Sequence, residues 1–456
     1  MPSEPADYTG GDPVTVRSVL SVARVGDSAN EKPRSPEPSR RCRLNRYNSV
    51  MERMGIGVSA IMTLSTSVFG QATHVVGPGG FAEIRDALAV AQVDDTIVVQ
   101  PGAYSPFVAS LGVRIVAPDG ATVTTNYQSS PSEFTGFQPP SGQTVYVHGL
   151  TFAQVDAIHP HFMRATSGQV AFDHCTFPPT HPFKSHYTLV VNAADIVLIS
   201  CTFSGFSGAV SVTSGSLAAV DCAFYGVDPQ SSSFQPAAVH LQDATAQLSF
   251  CELKGGNVIN AFHEPGSGLW VGGSSAVSLV ACVVEGGDRP AGVGGVAASG
   301  AVNTGSQPIR HMNTSFVGGA GTVYLPNAGW WPIRGLGTEG PEVAATLIGL
   351  APLIYGLEAG NYYGFAAMTT PATPVLCALT FELTAPTAVP GILQRVRFDP
   401  AGVISLGLTV TTPQGIDSRT LTQSVPSLIG LPIWIHGLMF DGVAVQSAAP
   451  VGGLVN

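Results

Sequence analysis

Between residues 149 and 316 the chain repeats a short stretch in which apolar and polar positions alternate and then change step. The copies end in Gly149-Leu-Thr-Phe152, His174-Cys-Thr-Phe177, Ser200-Cys-Thr-Phe203, Asp221-Cys-Ala-Phe224, Phe250-Cys-Glu-Leu253, Ala281-Cys-Val-Val284 and Asn313-Thr-Ser-Phe316. Their final residues are 25, 26, 21, 29, 31 and 32 positions apart. From the second copy on, the fifth and third residues before the Cys position are mostly apolar: Val170/Phe172, Ile196/Leu198, Leu217/Ala219, Ala246/Leu248, Val277/Leu279 and Ile309/His311. Period-two alternation predicts a strand with one buried face. The Cys position and the residue two beyond it are apolar again, so parity breaks just before the Cys. A bend at His174, Ser200, Asp221, Phe250, Ala281 or Asn313 accounts for the break, and most of these residue types tolerate unusual backbone angles.

A coil of ~20–30 residues, built of short strands and bends and stacked on the next coil, is a parallel β-helix. Ahead of it, Gly79 to Gln92 places Ile84, Leu88 and Ala91 on one helical face, and Asp94 to Tyr104 reads as strand and turn. With these features the repeat resembles the right-handed parallel β-helix of the pectin-lyase-like superfamily, over about residues 93–334. The resemblance implies a helix plugging the open end of the stack, a first strand ending in Pro-Gly-x-Tyr (here Pro101 to Tyr104) and turns lined by a polar ladder. An uncapped coil would expose apolar interior and unpaired strand edges.

Five of the seven cysteines, Cys175, Cys201, Cys222, Cys251 and Cys282, fall at the same repeat position. Stacked at the strand spacing of ~4.8 Å, they are expected to form an interior column of small apolar groups rather than disulfides or a metal site.

After residue 335 the repeat ends. Strand-like runs at 376–383, 393–398, 403–410 and 432–440 predict a small antiparallel module; Glu342 to Leu350 reads alternatively as a short helix. The expected fold is therefore all-β: a right-handed parallel β-helix with an N-terminal capping helix, followed by a small antiparallel β module. The expected segments are a disordered or mis-assigned leader at 1–50, a signal peptide at 51–70, the cap at 71–92, the β-helix at 93–334 and the C-terminal module at 335–456.

The signal-peptide reading rests on an uncharged run from Gly55 to Gly70 after Met51-Glu-Arg-Met54, with Val68-Phe69-Gly70 as cleavage signal; a buried helix is the alternative. No later run is apolar for the ~18 residues a membrane helix needs. Residues 1–54 hold nine of the 20 basic and seven of the 30 acidic residues, leaving a balance of −12 from Gly55 onward. That charge repels phosphate backbones and argues against a nucleic-acid partner. A secreted or cell-surface monomer that does not span the membrane is expected.

Candidate chemistry is sparse. The Asn-Thr-Asp and Gly-His-Gly signatures of galacturonases are absent, as are the Asp-His and Arg-rich elements of pectate lyases apart from Asp173-His174, so no family catalytic residue carries over. His174, Ser200 and Asp221 share one ladder position, but stacking puts the serine in the middle, which a catalytic triad does not allow. Asp221 and Glu252, on adjacent coils, are the candidate catalytic carboxylates of a divergent lyase or hydrolase. His159, His161, His174 and His186 are candidate binding residues in a His-rich stretch that also holds His148 and His181; no carboxylate or Cys spacing completes a metal set. Trp270, Trp330 and Trp331 are candidate sugar platforms or hydrophobic caps. No cofactor is expected, with Ca²⁺ left open. The apolar residues Val197, Ile199, Val220, Val280 and Met312 fall on the outer face of one strand, so a packed segment of the chain, a partner or a glycan should cover them. The leading functional expectation is a non-catalytic protein that interacts with a polysaccharide or cell-surface glycan. The alternatives are a divergent polysaccharide lyase or glycoside hydrolase, and a structural or adhesive surface element.

Overall fold

The parity break in each repeat is a single left-handed residue. In the computed structural model φ is 50° at His174, 49° at Ser200, 54° at Asp221, 57° at Phe250, 52° at Ala281 and 52° at Asn313; Gly149, at 72°, holds the place in the preceding coil. The structure describes residues 71–125, 134–154, 163–178, 187–205, 208–226, 237–258, 265–289, 297–325, 329–334, 336–352, 362–384, 386–387, 389, 392, 396–398, 403–422 and 432–454. The segments expected at 1–50 and 51–70 lie outside these residues.

A left-handed turn is costly for residues such as Ser, Phe and Ala and less so for Gly, Asn and Asp, and here two hydrogen bonds per coil offset the cost. The amides of His174, Ser200, Asp221, Phe250 and Ala281 donate to the carbonyls of Ile199, Val220, Ser249, Val280 and Met312 in the next coil, at 2.9–3.0 Å. Those carbonyls accept a second bond from their own coil. Cys201 Sγ donates to Ile199 O at 3.2 Å, Cys222 Sγ to Val220 O at 3.3 Å, Cys251 Sγ to Ser249 O at 3.3 Å and Cys282 Sγ to Val280 O at 3.4 Å. In the last of these coils Thr314 Oγ1 takes the thiol's place, donating to Met312 O at 3.3 Å. The cysteine column is thus a buried set of weak donors as well as an apolar filler. Burial pushes the thiols of Cys175, Cys201, Cys222 and Cys282 up.

A second left-handed ladder, which the repeat motif does not reveal, runs through Gly168 (62°), Ala193 (57°), Ser214 (54°), Asp243 (51°) and Gly273 (62°), each just before a strand of the next coil. Between the two ladders the coil forms two parallel sheets. One carries both strands flanking the first bend, for example Asp195–Ile199 with Thr202–Gly205 and Ser216–Val220 with Ala223–Gly226. The other stacks Tyr187–Asn192, Gly208–Thr213, Ala237–Gln242, Ser267–Gly272 and Ala301–Asn303 in parallel. In-register pairing such as Ile196↔Leu217 and Leu198↔Ala219 puts like residues in columns. Phe152, Phe177, Phe203 and Phe224 stack along the axis with ring centroids 5.0, 4.0 and 5.5 Å apart, all fully buried.

At the N-terminal end the helix shrinks to Ile84–Leu88, with Ile84 and Ala87 buried and Leu88 packed on the core. A strand absent from the expected cap, Thr73–Val76, pairs in parallel with Thr96–Val99. Asp95 ties the two together: it accepts from the amides of Ala72 and Gln92, both at 2.8 Å, and bonds His74 at 3.0 Å. At the other end an antiparallel hairpin, Ala320–Leu325 with Gly329–Arg334, interrupts the coil. The chain then rejoins the stack through Thr338–Glu339 and Glu342–Ala344, a strand rather than a helix.

The C-terminal module is antiparallel. Ile404–Val410, Pro374–Thr380, Pro432–Phe440 and Val445–Ser447 are neighbours in one sheet, with Val451–Leu454 also on the Pro432–Phe440 strand; Gly349–Pro352, Tyr362–Met368 and Ile416–Thr422 form another. Of the expected run at 393–398, the described residues show a single bridge, Thr387↔Val396. The module covers the outer apolar stripe. Val197, Ile199 and Val220 share a buried cluster with Ile348, Leu350, Phe365, Val375 and Trp434, while Val280 and Met312 pack with Leu347. Of the coverings the sequence left open, the chain's own C-terminal region is the one found, so this stripe is not a surface for adhesion. No helix among the described residues is long and apolar enough to cross a membrane.

Within the module His436 is buried, 3.0 Å from Thr380 Oγ1 and packed edge-on to Phe398. Burial, reinforced by Arg397, pushes its pKa from 6.5 down to about 3. A depressed histidine pKa means that the unfolded chain binds the proton more readily, so the stability present above pH 6.5 declines as pH falls from there towards about 3. Urea midpoints measured across this range should drop more steeply in the parent chain than in His436→Gln, whose side chain does not titrate.

Candidate functional site

Three places on the coil stack gather polar or aromatic side chains, and each arises from a register column meeting a bend or the module.

The first lies on the outer column Val116, His148, Asp173, Ile199, Val220 and Ser249. Asp173 is the single carboxylate in this run and is only 2% exposed. A buried carboxylate in such a place is costly unless hydrogen bonds compensate. Tyr146 Oη donates to Asp173 Oδ2 at 2.5 Å, and His148 Nδ1 lies 2.9 Å from the same oxygen. His174 Nδ1 lies 2.6 Å from Oδ1. In a straight strand His174 would point away from Asp173; the left-handed bend puts consecutive residues on one side. Burial favours the neutral acid, but the hydrogen bonds and charges of His148 and His174 outweigh it and hold the Asp173 carboxyl far below the ordinary carboxylate range. For His174, burial opposes the charged form, yet Asp173, helped by Asp221, raises its pKa. His174 is half exposed and His148 largely covered, with side-chain exposures of 40% and 16%.

Along the bend ladder, Ser200 Oγ donates to Asp221 Oδ2 at 3.1 Å. Glu252, beyond Cys251 on the next coil, accepts from Tyr225 Oη at 2.9 Å. The two candidate catalytic carboxylates are therefore each bonded to a different neutral donor on their own stretch of the ladder.

The second place is the outer column of the other sheet, where His240 pairs with Ser211 on one side and Trp270 on the other. The His240 and Trp270 rings stack at 4.3 Å, nearly parallel at 6°, and Tyr187 tilts against His240 at 5.7 Å. Burial pushes the His240 pKa from 6.5 down to about 4. One face of the Trp270 indole is occupied by His240, and the far edge of its six-membered ring lies over Gly272, where a Cβ would come within 2.2 Å of it. Trp270 is thus a rung in an aromatic ladder whose His240-side face is closed to a ligand. Trp330 and Trp331 lie on the hairpin strand Gly329–Arg334. His159, His161 and His186, with His181, lie outside the described residues.

The third place could not be found from local sequence. Between the coil stack and the module is a cleft of about 280 Å³, lined by Ser216, Thr245, Gln247, Ser278, Gln307, Arg310 and Arg397 together with Pro308 and Pro386. Its lining includes two arginines and no carboxylate. Arg397 is 5% exposed; its Nη2 donates to Ser216 Oγ at 2.6 Å, and Ser216 in turn donates to Asp195. Its Nη1 is buried and has no hydrogen-bond partner. Burial lowers the Arg397 pKa to about 10, against the attraction of Asp195. Arg310 Nη2 reaches Gln446 Oε1 at 3.4 Å, and Gln247 Nε2 donates to Ser447 O at 3.2 Å, so the module and the coils hold the cleft from both sides. Asp221 and Glu252 are not among its lining residues.

No protein-family model and no curated protein matches this sequence.

The Asp195–Ser216–Arg397 relay joins the stack to the module through a nearly buried hydroxyl. Ser216→Ala removes an acceptor from a guanidinium that already has one orphaned nitrogen, and should lower stability by about 1–3 kcal/mol in urea unfolding.

Proposed function

We propose that the chain is an exported, non-catalytic β-helix protein of the pectin-lyase-like type that holds an acidic glycan segment in the cleft between the coil stack and the C-terminal module. The observation that carries this reading is the cleft lining, which brings the Arg397 and Arg310 guanidiniums together with no carboxylate between them. A planar guanidinium fork suits a carboxylate, and Arg310, on the coil side, supplies a second positive charge to the same cleft. Gln247, Ser278, Thr245 and Gln307 offer the donors and acceptors that sugar hydroxyls require, and the two prolines a short apolar wall. In a chain of net charge −10, a carboxylate-free patch with two guanidiniums focuses an attractive field for an anion. Export is supported by the leader-like run at 51–70 and the acidic, lysine-poor sequence beyond it.

The test is co-sedimentation of the purified chain with uronate-containing and neutral polysaccharides, with reducing ends and unsaturated-uronate absorbance followed in parallel. Selective retention on the uronate polymers, without product, is expected. Arg310→Ala should weaken that retention about tenfold or more, the worth of a hydrogen bond to a charged group. Equal retention on neutral polymers, indifference to Arg310→Ala, or release of product would contradict the proposal.

A further inference from the structure

The cluster around Asp173 shares no residue with the lining of the cleft, and its chemistry is different. We propose that His148, Asp173 and His174 form a binding site for one divalent transition-metal ion of the Zn²⁺ class, a site independent of the proposed glycan cleft.

His148 and Asp173 are direct lateral partners on adjacent coils, in strands Thr144–Gln154 and Gln169–Asp173. Their spacing is fixed by the parallel ladder. His174 follows at the left-handed bend, at φ 50°, and is held there by its amide bond to Ile199 O at 3.0 Å. Three potential ligands from two coils therefore sit on rigid backbone, and one ligand atom from each lies within 4.8 Å of the others. Sites on strands hold coordination geometry better than sites on loops.

Two imidazoles and one carboxylate make an N₂O donor set. Hard cations such as Ca²⁺ and Mg²⁺ prefer all-oxygen cages, whereas imidazole suits Zn²⁺ and its neighbours in the first transition row. Three protein ligands leave a position for water, as in open zinc sites. Tyr146 Oη donates to Asp173 Oδ2 at 2.5 Å and helps to orient the carboxylate, the kind of outer contact that metal ligands characteristically have. Access is provided by His174, whose side chain is 40% exposed, while Asp173 is 2% exposed and shielded from competing solvent.

A purely structural network would use the same hydrogen bonds, and the test separates the two. The full chain, stripped with a chelator, is titrated with ZnCl₂ by calorimetry and its metal content measured after dialysis; Co²⁺ is added to a second sample and visible absorption recorded. The proposal expects one Zn²⁺ per chain, displaceable Co²⁺ ligand-field bands, and a rise in thermal midpoint on Zn²⁺ addition. His174→Asn should weaken binding more than tenfold, since even outer contacts to metal ligands are worth about 10–100-fold. Asn tolerates the left-handed conformation, so this variant keeps the bend. His148→Gln should do the same from the neighbouring coil. Absence of stoichiometric Zn²⁺ binding and of Co²⁺ bands in the parent chain would overturn the proposal, as would binding that both variants leave unchanged. Neither result bears on uronate retention in the cleft.

Discussion

Each coil has to turn a strand through a bend without leaving a buried polar group unpaired, and it does so with one carbonyl that accepts two donors. The carbonyls of Ile199, Val220, Ser249 and Val280 each take the left-handed amide of the coil before and the thiol of their own coil. This explains why the repeat carries cysteine where alanine or valine would fill a similar space, and why threonine can replace it at Thr314. Unpaired carbonyls in a dry interior are expensive. The same bend decides where side chains go: it returns the Cys and Phe columns to the interior, and it sets His174 beside Asp173 on the outside.

A stack built in this way has two outer faces, and the chain treats them differently. On one, the apolar Val197, Ile199 and Val220 column requires a cover, which the C-terminal module supplies through Trp434, Phe365 and Leu350. The other carries half-buried rungs such as His240 and Trp270 and remains the outside of the coil. The cleft arises where the module's cover is incomplete, over Ser278 and Gln247, with Arg397 bonded to the stack at Ser216. The module is thus both a lid for apolar surface and one wall of the polar site.

How far this was legible in the sequence depends on the range of each interaction. The repeat motif exposed the coil, its bend residues and the cysteine column, because these recur at the same place relative to a local period-two pattern. The second ladder, Gly168, Ala193, Ser214, Asp243 and Gly273, draws on four residue types and carries no motif. The cap strand Thr73–Val76 is short and only partly apolar, and its partner lies beyond the helix. The bonding of His148 to Asp173 spans 25 residues and becomes visible only once the register is known. Arg397 and Ser216 are 181 residues apart, so no spacing rule could bring them together. The outer stripe showed that a cover was needed; which segment supplied it depended on tertiary packing.

The bends are sealed parts of the ladder rather than loops. Hydrogen exchange of the purified chain at residue resolution tests this most directly. The amides of Ser200, Asp221, Phe250 and Ala281 should exchange as slowly as those of the strands Asp195–Ile199 and Ser216–Val220 beside them. Rapid, loop-like exchange at these positions while the strands stay protected would contradict it.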